Sequence, residues 1–139
     1  MTLNNFVEQL HSQPETIQFN DAIALVDQTF DFTPVAFTVG NQHNEAGTNL
    51  GSCRLLAFAH AMNLPKDATL ALFGDYYRKD VLGNPDGQDH PNIRQFMRHG
   101  WKGVHFSDTA LTKKPAAEVR SAQHHAHTDD DQKNREQAF

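Results

Sequence analysis

The sequence predicts an α+β fold that is mainly α-helical, with about five short helices and one small two-stranded antiparallel ribbon. Apolar residues recur in several segments at the three- and four-residue spacing of amphipathic helices. Proline, glycine or asparagine follows each of these segments, so each helix is short. One segment, residues 35–39, instead alternates with the period of two that a half-buried strand requires.

Two helices precede this strand. The first opens the chain and ends before Pro14. Its apolar stripe consists of Leu3, Phe6, Val7 and Leu10. The second is capped by Asn20 and has Asp21 in its first turn, near the positive end of the helix dipole. Its buried stripe consists of Ala22, Ile23, Val26 and Phe30.

Two further helices follow the strand and its loop. The third covers about residues 50–62 and has Asn49 as its N-cap. Asn63 ends it in the left-handed conformation, and Pro65 then starts the fourth helix in its first turn. The apolar stripe of the fourth helix consists of Leu70, Phe73, Tyr77 and Val81. The turn sequence GNPDG, at 83–87, breaks this helix.

The fifth helix and the second strand complete the predicted fold. The helix is capped by Asp89 or His90 and has Pro91 in its first turn. The segment WKGVHF, residues 101–106, then forms a short strand that pairs antiparallel with residues 35–39.

A change in composition at residue 107 divides the chain into a domain and a tail. Every aromatic residue except Phe139 lies before this point. The remaining part has few large apolar residues, so it buries too little apolar surface to offset the entropy of ordering it. We therefore expect one compact domain over residues 1–106 and a flexible, disordered tail over residues 107–139.

The composition also limits the compartment and the partners. A formal net charge of −5 disfavours binding to nucleic acid, which needs clustered Lys and Arg. The single cysteine permits no intramolecular disulfide, as is usual in a reducing compartment. The N-terminus lacks the pattern of a signal peptide, and no apolar run approaches the roughly 20 residues of a membrane span. We expect a soluble cytoplasmic monomer that binds neither nucleic acid nor membrane.

Cys53 is the first candidate for chemistry. It lies in the first turn of the third helix, where the helix dipole lowers the pKa of a thiol and favours the nucleophilic thiolate. A small cysteine hydrolase would use this thiolate with His90 or His99 as the base. Asn92 or Asp89 would orient that base. The alternative is that Cys53 is a small buried residue that packs its helix.

A metal site is the second chemistry that the histidines allow. His43 and Glu45, on the loop after the strand, can join His90 as two histidines and one carboxylate around a divalent metal. Their spacing matches no tight metal-binding signature. The alternative is that His43 and Glu45 hold their own loop by hydrogen bonds to its backbone. The tail segment HHAH, His124 to His127, would bind divalent ions only loosely.

Two arginines on the fifth helix are candidates for ligand binding. Arg94 and Arg98 are four residues apart, so a helix places their guanidinium groups side by side. Such a pair can clamp a carboxylate or a phosphate. The alternative is that acidic side chains of the protein itself pair with both arginines.

Two long segments resemble a known family. They are DFTPVAFTVGNQHNEAGTNLGSCRLLAFA, residues 31–59, and FGDYYRKDVLGNPDGQDHPNIRQFMRHGW, residues 73–101. Both are similar to the HopJ type III effector family, and the resemblance extends from about Thr2 to Phe106. The family name implies type III secretion, although this chain starts with an amphipathic helix rather than a flexible polar signal. The resemblance carries no established activity and no catalytic residues.

The recurring elements of the family coincide with the polar clusters described above. They stand here as His43 to Gly47, Gly51 to Cys53, Asp89 to Arg94, and Arg98 to Trp101. We therefore expect both clusters to line one cleft, in which His43 and Glu45 face His90 and His99 and Cys53 lies at the floor. The residues predicted to bind a ligand there are His43, Glu45, Arg94, Arg98 and Trp101.

Because no complete catalytic signature is present, the sequence favours an interaction or effector-type protein without catalysis. Its partner would be a protein or a small-molecule ligand, bound without a cofactor. The alternative is an enzyme, either the cysteine hydrolase described above or a metal-dependent enzyme with histidine and carboxylate ligands.

Overall fold

The structure is a computed structural model that describes residues 2–114. Its α-helices are α1 (Leu3–Ser12), α2 (Phe19–Thr29), α3 (Leu50–Ala61), α4 (Lys66–Ala71) and α5 (Pro91–His99). Its strands are β1 (Phe30–Phe32), β2 (Phe37–Val39), β3 (Gln42–Asn44), β4 (Val104–Phe106) and β5 (Leu111–Lys113). A π-helix occupies Tyr76–Val81, and short 3₁₀ turns occupy Pro14–Thr16 and Gly100–Gly103. The prediction of a mainly helical α+β fold is confirmed.

The fourth helix differs from the prediction. The continuous helix expected over residues 65–82 is divided at Gly74, whose φ is +60°. A Cβ atom at this position would lie 2.7 Å from the backbone nitrogen of Phe19, so only glycine allows this close approach. Helix α2 also begins earlier than predicted, with Gln18 rather than Asn20 as its N-cap. The burial of Phe19 in the first turn extends that helix.

The predicted strand pair is present and belongs to a larger sheet. β2 and β4 are antiparallel, with Phe37 opposite Phe106 and Val39 opposite Val104. β3 pairs with the other side of β2, which gives the strand order β3-β2-β4. The sequence of β3, QHN, has no apolar alternation, and the hairpin rather than its side chains makes it a strand.

A second antiparallel ribbon, β1 with β5, extends the fold beyond the predicted domain boundary. Ala110 is buried, and its carbonyl accepts a hydrogen bond of 2.8 Å from the backbone N–H of Thr33. The boundary predicted at residue 106 therefore needs correction, because backbone pairing orders a segment that has few apolar side chains. The predicted tail beyond Lys114, with its HHAH segment, lies outside the described residues.

Helix α3 forms the centre of the hydrophobic core. All of its residues from Leu50 to Ala59 are buried. The ring of Phe58 makes edge-on contacts with Phe6 and Phe30, at centroid distances of 6.3 and 5.9 Å. A helix that is apolar on all sides is typical of a core position, and the remaining elements pack around it.

One charged residue, Arg54, lies within this core. Its side chain is fully buried, and its Nε donates a hydrogen bond of 2.8 Å to Oδ1 of Asp27 on α2. The guanidinium carbon lies 4.1 Å from the centre of the Phe32 ring. Within residues 2–114, the two terminal nitrogens of Arg54 have no hydrogen-bond acceptor. The ion pair therefore joins α2 to α3 at the centre of the core.

We predict that Asp27→Asn destabilises the fold strongly, because it leaves the buried charge of Arg54 without its counter-charge. Removing one partner of a buried ion pair costs about 3–5 kcal/mol. Asp31→Asn is the matched control, since Asp31 is 66% exposed and lies 3.9 Å from Lys114. An exposed pair of that kind contributes below about 1 kcal/mol. The free energies of unfolding come from chemical denaturation, and equal losses in the two variants would contradict the prediction.

Candidate functional site

Three asparagines join the two polar clusters of the sequence. The side-chain amides of Asn44 and Asn92 bond reciprocally, and both N···O distances are 3.0 Å. Asn49, the N-cap of α3, donates a further bond of 2.6 Å to Oδ1 of Asn44. Asn44 and Asn92 are 4% and 3% exposed, so these bonds satisfy polar groups that water does not reach. The junction holds β3, the start of α3 and the start of α5 together.

His43 and Glu45 do not occupy the positions predicted for them. Both are exposed, and neither bonds to His90 or His99. The His43 ring lies 3.4 Å from the Thr38 hydroxyl, across the β2–β3 hairpin. Successive side chains of a strand point to opposite faces. Because Asn44 points into the protein, its neighbours His43 and Glu45 point to the solvent.

Cys53 is buried, and its thiol points to the backbone carbonyl of Val35 at 3.9 Å. Burial raises the pKa of this thiol, although the Val35 hydrogen bond and the charge of Arg54 oppose the shift. Desolvation therefore outweighs the two interactions that favour the thiolate. The thiol bonds to neither candidate base, so the geometry of a cysteine nucleophile is not assembled.

His90 lies in a cluster with two aspartates. Its Nε2 is 3.0 Å from Oδ2 of Asp80, on the π-helix, and 3.7 Å from Oδ2 of Asp89. One ligand atom from each of the three residues lies within 4.8 Å of the other two. In the part of the chain that the structure describes, these three residues are the group whose ligand atoms lie close enough together to hold one metal ion. The predicted metal ligands His43 and Glu45 do not belong to this group.

Arg94 holds the loop between the π-helix and α5. Its guanidinium group donates to the carbonyls of Asn84, at 2.9 Å, and of Pro85 and Asp89. It also bonds the Asp89 carboxylate, which lowers the pKa of that group. Loop carbonyls without a regular partner need such donors. Arg94 is therefore engaged within the protein, and the predicted clamp with Arg98 is not formed.

The remaining predicted residues have separate positions. The indole N–H of Trp101 donates to the carbonyl of Leu64 at 2.9 Å, and its ring packs edge-on against Phe96 at 5.0 Å. His99 is exposed and lies beside Gly40. Arg98 is exposed and forms no ion pair with a described residue. Trp101 thus stabilises the core, while Arg98 is available to a ligand.

A groove of about 540 Å³ lies along α5, and we name it the α5 groove. Six of the residues that line it are Val81, Leu82, Pro85, Arg94, Met97 and Arg98. Leu82 is 48% exposed, whereas the other large apolar side chains of residues 2–114 are more buried. The sequence indicated the arginines but not the apolar floor, because no spacing in the sequence marks Leu82 and Met97 as parts of one groove. An apolar residue directly before the GNPDG turn was the available signal.

Comparison with known proteins assigns the family. The family model of the HopJ type III effector protein matches residues 3–111, which is most of the chain. The protein belongs to the HopJ type III effector family, and the resemblance seen in the sequence is confirmed. It is similar to a solved crystal structure, that of the unknown function protein VPA0580. The two are 49% identical with a TM-score of 0.81, and the alignment covers 82% of this chain and 95% of that chain. No curated protein matches the sequence.

These relatives define the fold without defining an activity. The crystal structure is described only as that of a protein of unknown function. None of the helices in residues 2–114 has both the length and the hydropathy of a membrane span. The α5 groove and the side chains around it are therefore the features of the structure that bear on function.

We predict that Cys53 reacts slowly with iodoacetamide in the native protein. Its raised pKa leaves less thiolate at neutral pH than a solvated cysteine has, and burial also blocks the reagent. Alkylation at pH 8 should be at least about tenfold slower than in the urea-denatured chain, and the rate should still rise above pH 9. A native rate that levels off below pH 7 would show an activated thiolate instead.

Proposed function

We propose that this HopJ-family protein is an interaction protein of the effector type and that it binds its partner in the α5 groove. The observation that carries the proposal is the presence, in one groove, of the exposed apolar side chain of Leu82 and the exposed guanidinium group of Arg98. Apolar surface with a charged rim is typical of binding sites. The groove has a volume of about 540 Å³, which leaves room for side chains of a partner.

The state of the predicted catalytic residues supports binding over catalysis. A nucleophile or general base must reach the reacting atom at hydrogen-bond distance. Cys53 is buried, and Asn92 is engaged with Asn44. A cysteine hydrolase would need the start of α3 to move before a substrate could reach the thiol. The groove, in contrast, is open in the structure as it stands.

Membership of the HopJ type III effector family supports a role as an effector. We infer that the protein is present in the cytoplasm as a monomer and becomes a substrate of type III secretion. Its partner would be a protein, since an open groove is less enclosed than most small-molecule sites. The net charge of −5 argues against a nucleic acid as that partner.

We predict that Leu82→Glu abolishes binding in the α5 groove, because a carboxylate replaces the exposed apolar contact. A phage-displayed library of random 12-residue peptides is selected on the wild-type chain, and enriched peptides are then measured by fluorescence anisotropy. Binding should be lost in Leu82→Glu and retained in Cys53→Ala.

Lys102→Glu is the control for added negative charge, since Lys102 is exposed and does not line the groove. Circular dichroism and thermal unfolding establish that all the variants are folded. Failure to enrich any peptide, or equal binding to wild type and Leu82→Glu, would contradict the proposed function.

A divalent metal is a second candidate ligand, and the Asp80, Asp89 and His90 triad favours it. Two carboxylate oxygens and one imidazole nitrogen suit Mn²⁺ or Zn²⁺. Arg94 would act from outside the site, because it bonds Oδ1 of Asp89 and leaves Oδ2 facing His90. Its positive charge and the N-terminus of α5 oppose a bound cation, so we expect weak affinity.

We predict that Asp80→Asn weakens the binding of Mn²⁺ or Zn²⁺ to this triad at least tenfold, because it removes a charged ligand without changing the shape of the side chain. The background is the full chain with alanine at His124, His125 and His127, which removes the competing histidines of the tail. Isothermal titration calorimetry gives the affinity, and Asp86→Asn, outside the triad, is the matched control. Equal affinity in both variants would overturn the metal proposal.

A further inference from the structure

We infer that the α5 groove selects a protein segment that carries a carboxylate beside a large apolar side chain, with the carboxylate bound by Arg98. This inference rests on the proposed function and specifies the chemistry of the partner. It follows from the different charges at the two ends of the groove and from the apolar floor between them.

Arg98 lies at the C-terminal end of the groove, and Lys66 lies near that end without lining it; neither has a counter-charge within residues 2–114. Arg98 is exposed, and neither Arg98 nor Lys66 forms an ion pair with any of the described residues. The ammonium group of Lys66 donates to the carbonyl of Met97 at 3.1 Å, which places it beside a residue that lines the groove. In a chain of net charge −5, this end of the groove is a local site for an anionic group.

The opposite end of the groove has a different charge. Asp86 lines it there and is exposed, and the guanidinium group of Arg94 is already bonded to the Asp89 carboxylate. Arg94 therefore does not offer a free charge to a ligand, and Asp86 repels an anion. A bound segment is oriented by this difference, so that its carboxylate faces Arg98 rather than the loop.

The floor between these ends is apolar. Leu82 is half exposed, and Val81 and Met97 line the same groove. A volume of about 540 Å³ accommodates one or two large side chains. Burial of one apolar side chain against Leu82 would supply affinity, whereas the Arg98 contact would supply selectivity and orientation. An extended segment with both features side by side matches the groove.

The experiment compares two synthetic fluorescent peptides on two proteins. The first peptide is the most enriched sequence from the library selection, and the second replaces its acidic residues by the corresponding amides. The wild-type chain should bind the acidic peptide at least about tenfold more tightly, with a preference that weakens as the salt concentration rises. Arg98→Gln should bind both peptides equally, and Arg98→Lys should retain part of the preference.

The outcomes distinguish a failure of the inference alone from a failure of the proposed function. If the wild-type chain binds both peptides equally and Leu82→Glu binds neither, the inference fails while the proposed function stands. If no peptide depends on Leu82, both fail. If the groove binds another copy of this chain, sedimentation velocity will show a dimer that Leu82→Glu abolishes, and that result overturns the inference. A preference that persists in Arg98→Gln but is lost in Lys66→Gln would assign the carboxylate to Lys66 and also overturn it.

Discussion

The buried ion pair between Arg54 and Asp27 is the constraint on which the rest of the architecture depends. A charged group in an apolar core is strongly unfavourable unless its counter-charge is held in place. Here the counter-charge comes from α2, and the ring of Phe32, on β1, covers the guanidinium carbon at 4.1 Å. The relative position of α2, α3 and β1 is thus set by an interaction with a defined geometry, and not only by hydrophobic packing.

A chain of side-chain hydrogen bonds connects α3, at the centre of the core, with α5 and its groove. The first residue before α3 is Asn49, whose side chain bonds Asn44 rather than its own helix. Asn44 in turn bonds Asn92, in the first turn of α5. The position of α5 is therefore fixed at its N-terminal end by buried amide bonds. Arg94 then fixes the loop that forms the adjoining wall, so the groove is built on rigid elements.

The sequence predicted those elements whose own side chains carry a periodic pattern. The stripes of α1 and α2 and the alternation around Phe37 predicted helices and a strand that the structure contains. β3 and β5 escaped prediction because backbone pairing, not side-chain pattern, makes them strands. The site shows the same limit. Without β3, the sequence could not show that Asn44 points inward while His43 and Glu45 point outward. The sequence also left open whether Cys53 is an activated thiolate or a buried packing residue, because its position in the helix does not show its burial.

The π-helix at Tyr76–Val81 makes this part of the chain sensitive to length. A π-helical turn closes its hydrogen bonds over five residues instead of four, so it contains one residue more than an α-helical turn. A residue gained or lost in this helical segment without a compensating change of turn would rotate every later side chain by about 100° around the helix axis. Asp80 would then move away from His90. Val81 would no longer lie in the core or line the α5 groove. Substitutions on the outer side of this segment are compatible with the fold, whereas insertions and deletions are not.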